Sequence, residues 1–128
     1  MKANLSETEV HRIEFWKENR IFEKIKTQSS NKKKYILHDG PPYANGDLHL
    51  GHALNKILKD IVCRSKFQNN FDVEFVPGWD CHGLPIEWKV EEKFKKKGHQ
   101  KNEVDVIKFR KECREFADHW VNEQKIQF

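Results

Sequence analysis

The stretch His38-Asp39-Gly40-Pro41-Pro42-Tyr43-Ala44-Asn45-Gly46-Asp47-Leu48-His49-Leu50-Gly51-His52 constrains this chain more than any other. Its three glycines, two prolines and three histidines are mostly residues that the interiors of helices and strands avoid. Before it lies a short apolar run, Tyr35-Ile36-Leu37, which is β-prone and reads as a buried strand of a parallel sheet. After it, Leu54, Ile57, Leu58, Ile61 and Val62 recur at i, i+3, i+4, i+7 and i+8, the clearest helical stripe in the sequence. Gln68-Asn69-Asn70 ends that helix, and Phe71-Asp72-Val73-Glu74-Phe75-Val76 alternates with period two as a second strand. Strand, long loop, helix, strand is a βαβ crossover, so the fold class is α/β with parallel strands.

In open α/β sheets, ligands bind beyond the carboxyl ends of the strands. Two loops emerge at that edge: the opening stretch, and Pro77-Gly78-Trp79-Asp80-Cys81-His82-Gly83-Leu84-Pro85. In the first, His49 and His52 are three residues apart at the start of a helix and so lie on one side of it. A helix N-terminus offers unpaired N–H groups and the positive end of a dipole, which attract phosphate. Gly51 lets a nucleotide approach the backbone, and imidazoles donate to phosphate oxygens more strongly as charge develops. That chemistry suits phosphoryl or nucleotidyl transfer. Two plainer readings compete with it. The histidines could simply cap a helix, or they could converge with Cys81 and His82 on zinc, although neither CxxC nor HExxH spacing is present. Asp80 could pair with a cationic group such as an α-amine, or cap its own turn.

The rest of the chain reads as helical. Residues 5–26 carry Val10, Ile13, Phe15, Trp16, Ile21, Phe22 and Ile25 at helical spacing, with the aromatics as packing anchors. Ser6 and Glu9 fit a capping box, and Asn19 is a candidate break between two helices. Gln28 to Lys34 reads as a lysine-rich surface link. A helix is expected from Pro85 to Lys97 with Gly98 as its stop, and another within 103–127. The domain reading is a helical segment over 1–30, followed over 31–128 by the first part of a nucleotide-binding domain.

Charged residues make up 34% of the chain and hydrophobic ones 37%, so a thin core, or surfaces that pack on something further, is expected. Four Trp and nine Phe argue against disorder. A net charge of +4 is compatible with RNA or phosphate partners without demanding them. The lysine triplets Lys32–Lys34 and Lys95–Lys97 read as solvated surface. Cys63, Cys81 and Cys113, odd in number and widely spaced, fit reduced thiols and no disulfides. No run approaches the roughly 18 apolar residues of a membrane span. Met1 to Arg12 lacks the apolar segment of a leader, so a cytoplasmic location is expected.

Asp39 to Lys56 closely resembles the ATP-binding signature region of class I aminoacyl-tRNA synthetases, with His49-Leu50-Gly51-His52 at the class signature. The flanks, Pro41 to Gly46, Asn55 to Asp60 and Pro77 to Glu87, resemble those of the isoleucyl members, and the likeness extends from the leading helices to Cys113-Arg114-Glu115. It implies a Rossmann-like catalytic domain, of which this chain would be the N-terminal half. It also implies that His49, Gly51 and His52 bind ATP, with the two histidines catalytic at the α-phosphate. By the same resemblance Pro41 walls the isoleucine side chain, Asp80 holds the α-ammonium, and Tyr43 and Asn45 line the adenylate site. ATP with Mg2+ is then a substrate, beside L-isoleucine and tRNA(Ile), and no protein-bound metal or membrane contact is implied. A methylene-scale difference gives only about 1–3 kcal/mol of discrimination, which is why such enzymes edit valine in an inserted domain. The second ATP-binding signature (a lysine-serine-lysine loop), the editing insertion, the remaining strands and the anticodon-binding helices do not occur here. The isolated chain is therefore expected to be inactive. The alternatives are a non-catalytic module that binds ATP, an adenylate or tRNA, and one part of a split synthetase.

Overall fold

A computed structural model describes residues 4–99 and 103–128. Met1–Ala3, within the segment read as carrying no leader, and 100–102, just beyond the expected stop at Gly98, lie outside the described residues. The order is α1 (Leu5–Glu18), α2 (Ile21–Ser29), β1 (Lys33–His38), α3 (Leu50–Gln68), β2 (Phe71–Val76), α4 (Leu84–Lys96) and α5 (Val106–Gln127). β1 and β2 pair as a two-stranded parallel sheet joined through α3, as the βαβ reading requires. The chain divides into two compact units, one of residues up to Leu37 with Ile61–Glu74, the other of His38–Asp60 with Phe75–Phe128.

Local signals place most element ends. Asn19 closes α1, its side-chain amide donating to Phe15 O at 2.9 Å, and Arg20 at φ 50° turns the chain into α2. Pro85 sits in the first turn of α4, and Gly98 leaves that helix at φ 83°, a left-handed conformation that favours glycine. Asp105 caps α5, its carboxylate accepting from Lys108 N–H at 2.9 Å. The Ser6–Glu9 capping box does not form. α1 starts at Leu5 behind a left-handed Asn4, whose carbonyl accepts from the Glu7 and Thr8 amides, so Ser6 already lies inside the helix. β1 also begins earlier than the apolar run, taking in Lys33 and Lys34 from the expected surface link.

The first unit is held mainly by polar and cation–π contacts. Buried Ser29 donates to Asp72 at 2.9 Å, Tyr35 meets Phe71 edge-on, and Lys66 lies over both of those rings. α1 buries none of its residues, so its aromatics are not the expected core anchors; Trp16 instead carries the Arg64 guanidinium on its ring.

The second unit contains the buried apolar residues. Ala44, Ile86 and Ala117 form one cluster and Val90, Phe94 and Phe109 another, with Cys113 and Phe116 packing against both. Each large side chain buried there contributes about 1.5–3 kcal/mol. The core thus lies between α4 and α5. The expectation of a buried β1 is corrected, since Ile36 is 51% exposed. The α3 stripe, Leu54 to Val62, is likewise exposed, because among the described residues no further strand or helix covers it.

Candidate active site

All the expected site residues fall in the second unit. The two loops beyond the strands run side by side. Asp80 N–H donates to Pro42 O at 2.8 Å and Ala44 N–H to Asp80 O at 2.9 Å, which makes a parallel bridge between Tyr43 and Asp80. A Cβ built on Gly78 would lie 3.8 Å from Pro41 Cβ, so Pro41 flanks the Asp80 loop as well. Asp80 Oδ1 accepts from His82 N–H at 3.3 Å, so the turn-capping reading is realised, while among the described residues its other carboxylate oxygen accepts no hydrogen bond.

The histidine pair is ordered by the backbone of its own turn. The rings lie 4.0 Å apart; His49 N–H donates to His52 Nδ1 and Gly51 N–H to His49 Nδ1, both at 3.1 Å. A nitrogen that accepts carries no proton, so each neutral imidazole keeps its hydrogen on Nε2. Burial, the neighbouring His49 and the charge of Lys56 lower the pKa of His52, which favours that neutral form. The pair therefore presents two fixed Nε2–H donors. This revises the expected phosphate cradle: the Gly51, His52 and Ala53 amides are already bonded to His49, through its ring or its carbonyl.

Gly51 has a packing reason as well. A Cβ there would sit 2.9 Å from His49 Cε1, closer than such contacts tolerate, and a tight 3.1 Å from Nδ1. Gly51→Ala is expected to swing the His49 ring away and to lower affinity for an adenylate analogue by about tenfold, the worth of one charge-assisted hydrogen bond. Thermal unfolding should be little changed, since the displaced ring is exposed. Calorimetry and a melting curve on the same sample check both outcomes.

Three groups that hold the loops escaped the sequence reading. The first is Asp39, whose carboxylate is fully buried and bonded by both Lys56 and Lys59. Burial pushes its pKa up, but the two ammonium groups more than reverse this and hold it below the ordinary 3.8. The i, i+3 spacing of the lysines on α3 was the available signal. The others are Gln124 and Gln127, near the end of α5. Gln124 is fully buried; it donates to Tyr43 O at 3.0 Å and Gly46 O at 2.7 Å, and accepts from the Trp79 indole at 2.9 Å. Gln127 donates to Asp47 at 2.7 Å and accepts from Leu48 N–H at 2.9 Å. No local pattern marks two polar residues of an amphipathic helix as loop anchors.

Cys81 and His82 line a different space, a cavity of about 400 Å³ bounded also by Ile86, Phe109, Arg110 and Arg114. Burial, then the carboxylates of Asp118 and Asp80, raise the Cys81 thiol. Among the described residues no group of three or more His, Cys, Asp or Glu is placed to hold a metal ion, so the competing zinc reading finds no such cluster there. No described helix is long and apolar enough to cross a membrane.

The paired histidines stand at the start of the helix that links two parallel strands, and known proteins that share this chain's sequence give it a family. The chain belongs to the tRNA synthetases class I (I, L, M and V), whose sequence model matches residues 11–128. Among curated relatives, the isoleucine--tRNA ligase of Pelagibacter ubique (strain HTCC1062) is 54% identical over all 128 residues, which cover 14% of that protein. That of Mesorhizobium japonicum is 53% identical over the same span, 13% of its length. The chain thus spans about one-seventh of the relatives it matches. A solved LeuRS of Agrobacterium radiobacter K84, in a ternary complex with tRNA and LeuAMS, aligns with a TM-score of 0.64 at 24% identity. That alignment covers 97% of this chain and 14% of the other, and it shows the fold.

Proposed function

We propose that this chain supplies the amino-acid side and half of the ATP side of an isoleucine--tRNA ligase catalytic site. The observation that carries the reading is the pair of imidazoles with both Nδ1 atoms tied to backbone amides, which leaves two Nε2–H groups free to donate. In the reaction, a carboxylate oxygen of isoleucine attacks the α-phosphorus of ATP, which enters as its Mg2+ complex. The new O–P bond makes isoleucyl-adenylate, and pyrophosphate leaves with the bonding pair. His49 and His52 donate to the α-phosphate oxygens as charge builds on the pentavalent centre, where such donors contribute most. Gly51 gives His49 its room. Asp80 uses its remaining carboxylate oxygen on the α-ammonium, Pro41 walls the side chain, and Tyr43 and Asn45 line the adenylate. The acyl group then passes to tRNA(Ile), in the cytoplasm where translation runs. Residues 31–128 act as the first part of the catalytic domain and 1–30 as a helical lead-in.

The exposed α3 stripe supports action as part of a larger catalytic unit, in one chain or in trans, with the isolated chain inactive. Titration of the 128-residue chain with a non-hydrolysable isoleucyl-adenylate analogue and with ATP, beside an ATP–pyrophosphate exchange assay, tests both statements. Analogue binding that ATP competes away, without exchange, is the expected result. Failure of both ligands to bind overturns the site reading, and robust isoleucine-dependent exchange overturns the need for a larger unit.

A further inference from the structure

Gln124 joins three groups that belong to different loops. Its carboxamide nitrogen donates to the carbonyls of Tyr43 and Gly46, on the ATP side, while its oxygen accepts from the indole of Trp79, next to Asp80 on the amino-acid side. The side chain is fully buried, so its end of each bond is shielded from water, where the loss of a partner costs most. One turn further along α5, Gln127 holds Asp47 and Leu48 immediately before the histidine turn. A glutamine suits the task because one planar group offers two donors and an acceptor. Glutamate, methionine or leucine would fill the same volume without matching all three partners.

We infer that Gln124 is a positioning residue that locks the amino-acid loop to the ATP loop, so that a ligand spanning both sides meets a single preset geometry. This rests on the reading of the two loops given above, although the linkage itself does not. Joining two reactants in line is where pre-set geometry contributes most to a transfer reaction. A ligand that occupies one side alone gains little from the lock, whereas one that bridges the sides gains from it in full.

The test compares the 128-residue chain with Gln124→Glu and Trp79→Phe, each checked for cooperative thermal unfolding. Gln124→Glu retains the acceptor for Trp79 but turns lone pairs toward two carbonyls; Trp79→Phe cuts the same link from the other loop if the first variant does not fold. Affinity for the adenylate analogue should fall about tenfold, while ATP alone and isoleucine alone change less than about twofold. In Gln124→Glu the analogue affinity should recover as pH is lowered and the introduced carboxyl regains a proton to donate. Equal losses for all three ligands, or no loss for the analogue, would overturn the inference. If the unsubstituted chain binds none of the ligands, the functional reading falls, and hydrogen exchange decides the linkage by itself. The Ala44 and Asp80 amides should then exchange at least about tenfold faster in Gln124→Glu, and unchanged exchange at these two sites would refute the lock.

Discussion

Replacing Lys56 and Lys59 together by methionine is expected to destabilise the chain by about 3–5 kcal/mol, measured by urea unfolding at pH 7. The Asp39 carboxylate is fully buried, and these two ammonium groups are the partners that pay for its charge. Without them an uncompensated carboxylate remains inside, and Asp39 N–H, which donates to Val76 O at 2.9 Å at the sheet's end, is strained with it. The pH dependence distinguishes this cause from simple loss of packing. In the unsubstituted chain the Asp39 pKa is lowered, so its contribution is complete above about pH 4 and fades as pH falls through the lower folded value. In the double variant only burial acts on the carboxyl, its pKa rises, and the sign reverses. That variant should then be relatively more stable in mild acid and lose stability as pH rises toward neutral. Parallel pH profiles for the two proteins would exclude Asp39 as the source.

Asp80→Asn is expected to lower affinity for the adenylate analogue by about 10- to 100-fold, the worth of a hydrogen bond to a charged ammonium. Asparagine keeps the oxygen that accepts from His82 N–H at 3.3 Å, and the bridge to Tyr43 uses only backbone atoms. The turn should therefore survive and the melting temperature stay nearly constant. ATP alone should bind as before, because the partner proposed for the lost charge is the amino acid's ammonium group. A fall in stability with unchanged analogue affinity would return Asp80 to a turn-capping role.

What could be read in advance was local. The i, i+3, i+4 stripe drew α3, period-two alternation drew β2, and Asn19, Pro85 and Gly98 marked helix ends within a residue or so of where they fall. Ser6 and Glu9 misled because a capping box needs Ser6 as the N-cap, and the left-handed Asn4 caps the helix two residues earlier. β1 was cut short because its first two residues, Lys33 and Lys34, carry charge on exposed faces. The histidine turn was visible as a motif. That its amides would be bonded within the turn, partly by the imidazoles themselves, was not, since ring rotamers have no signature in the spacing.

By itself the amino-acid order determined the βαβ unit, the two loops at its carboxyl edge and which side chains with phosphate or ammonium chemistry they carry. Periodicity, turn residues and residue type are properties of short stretches, so no distant part of the chain was needed. Only the tertiary structure decided how those loops are held: Gln124 on Tyr43 and Gly46, Gln127 on Leu48, and Lys56 and Lys59 on Asp39. A buried carboxylate or carboxamide is stable only where partners converge on it, and the α5 partners come from some 80 residues along the chain.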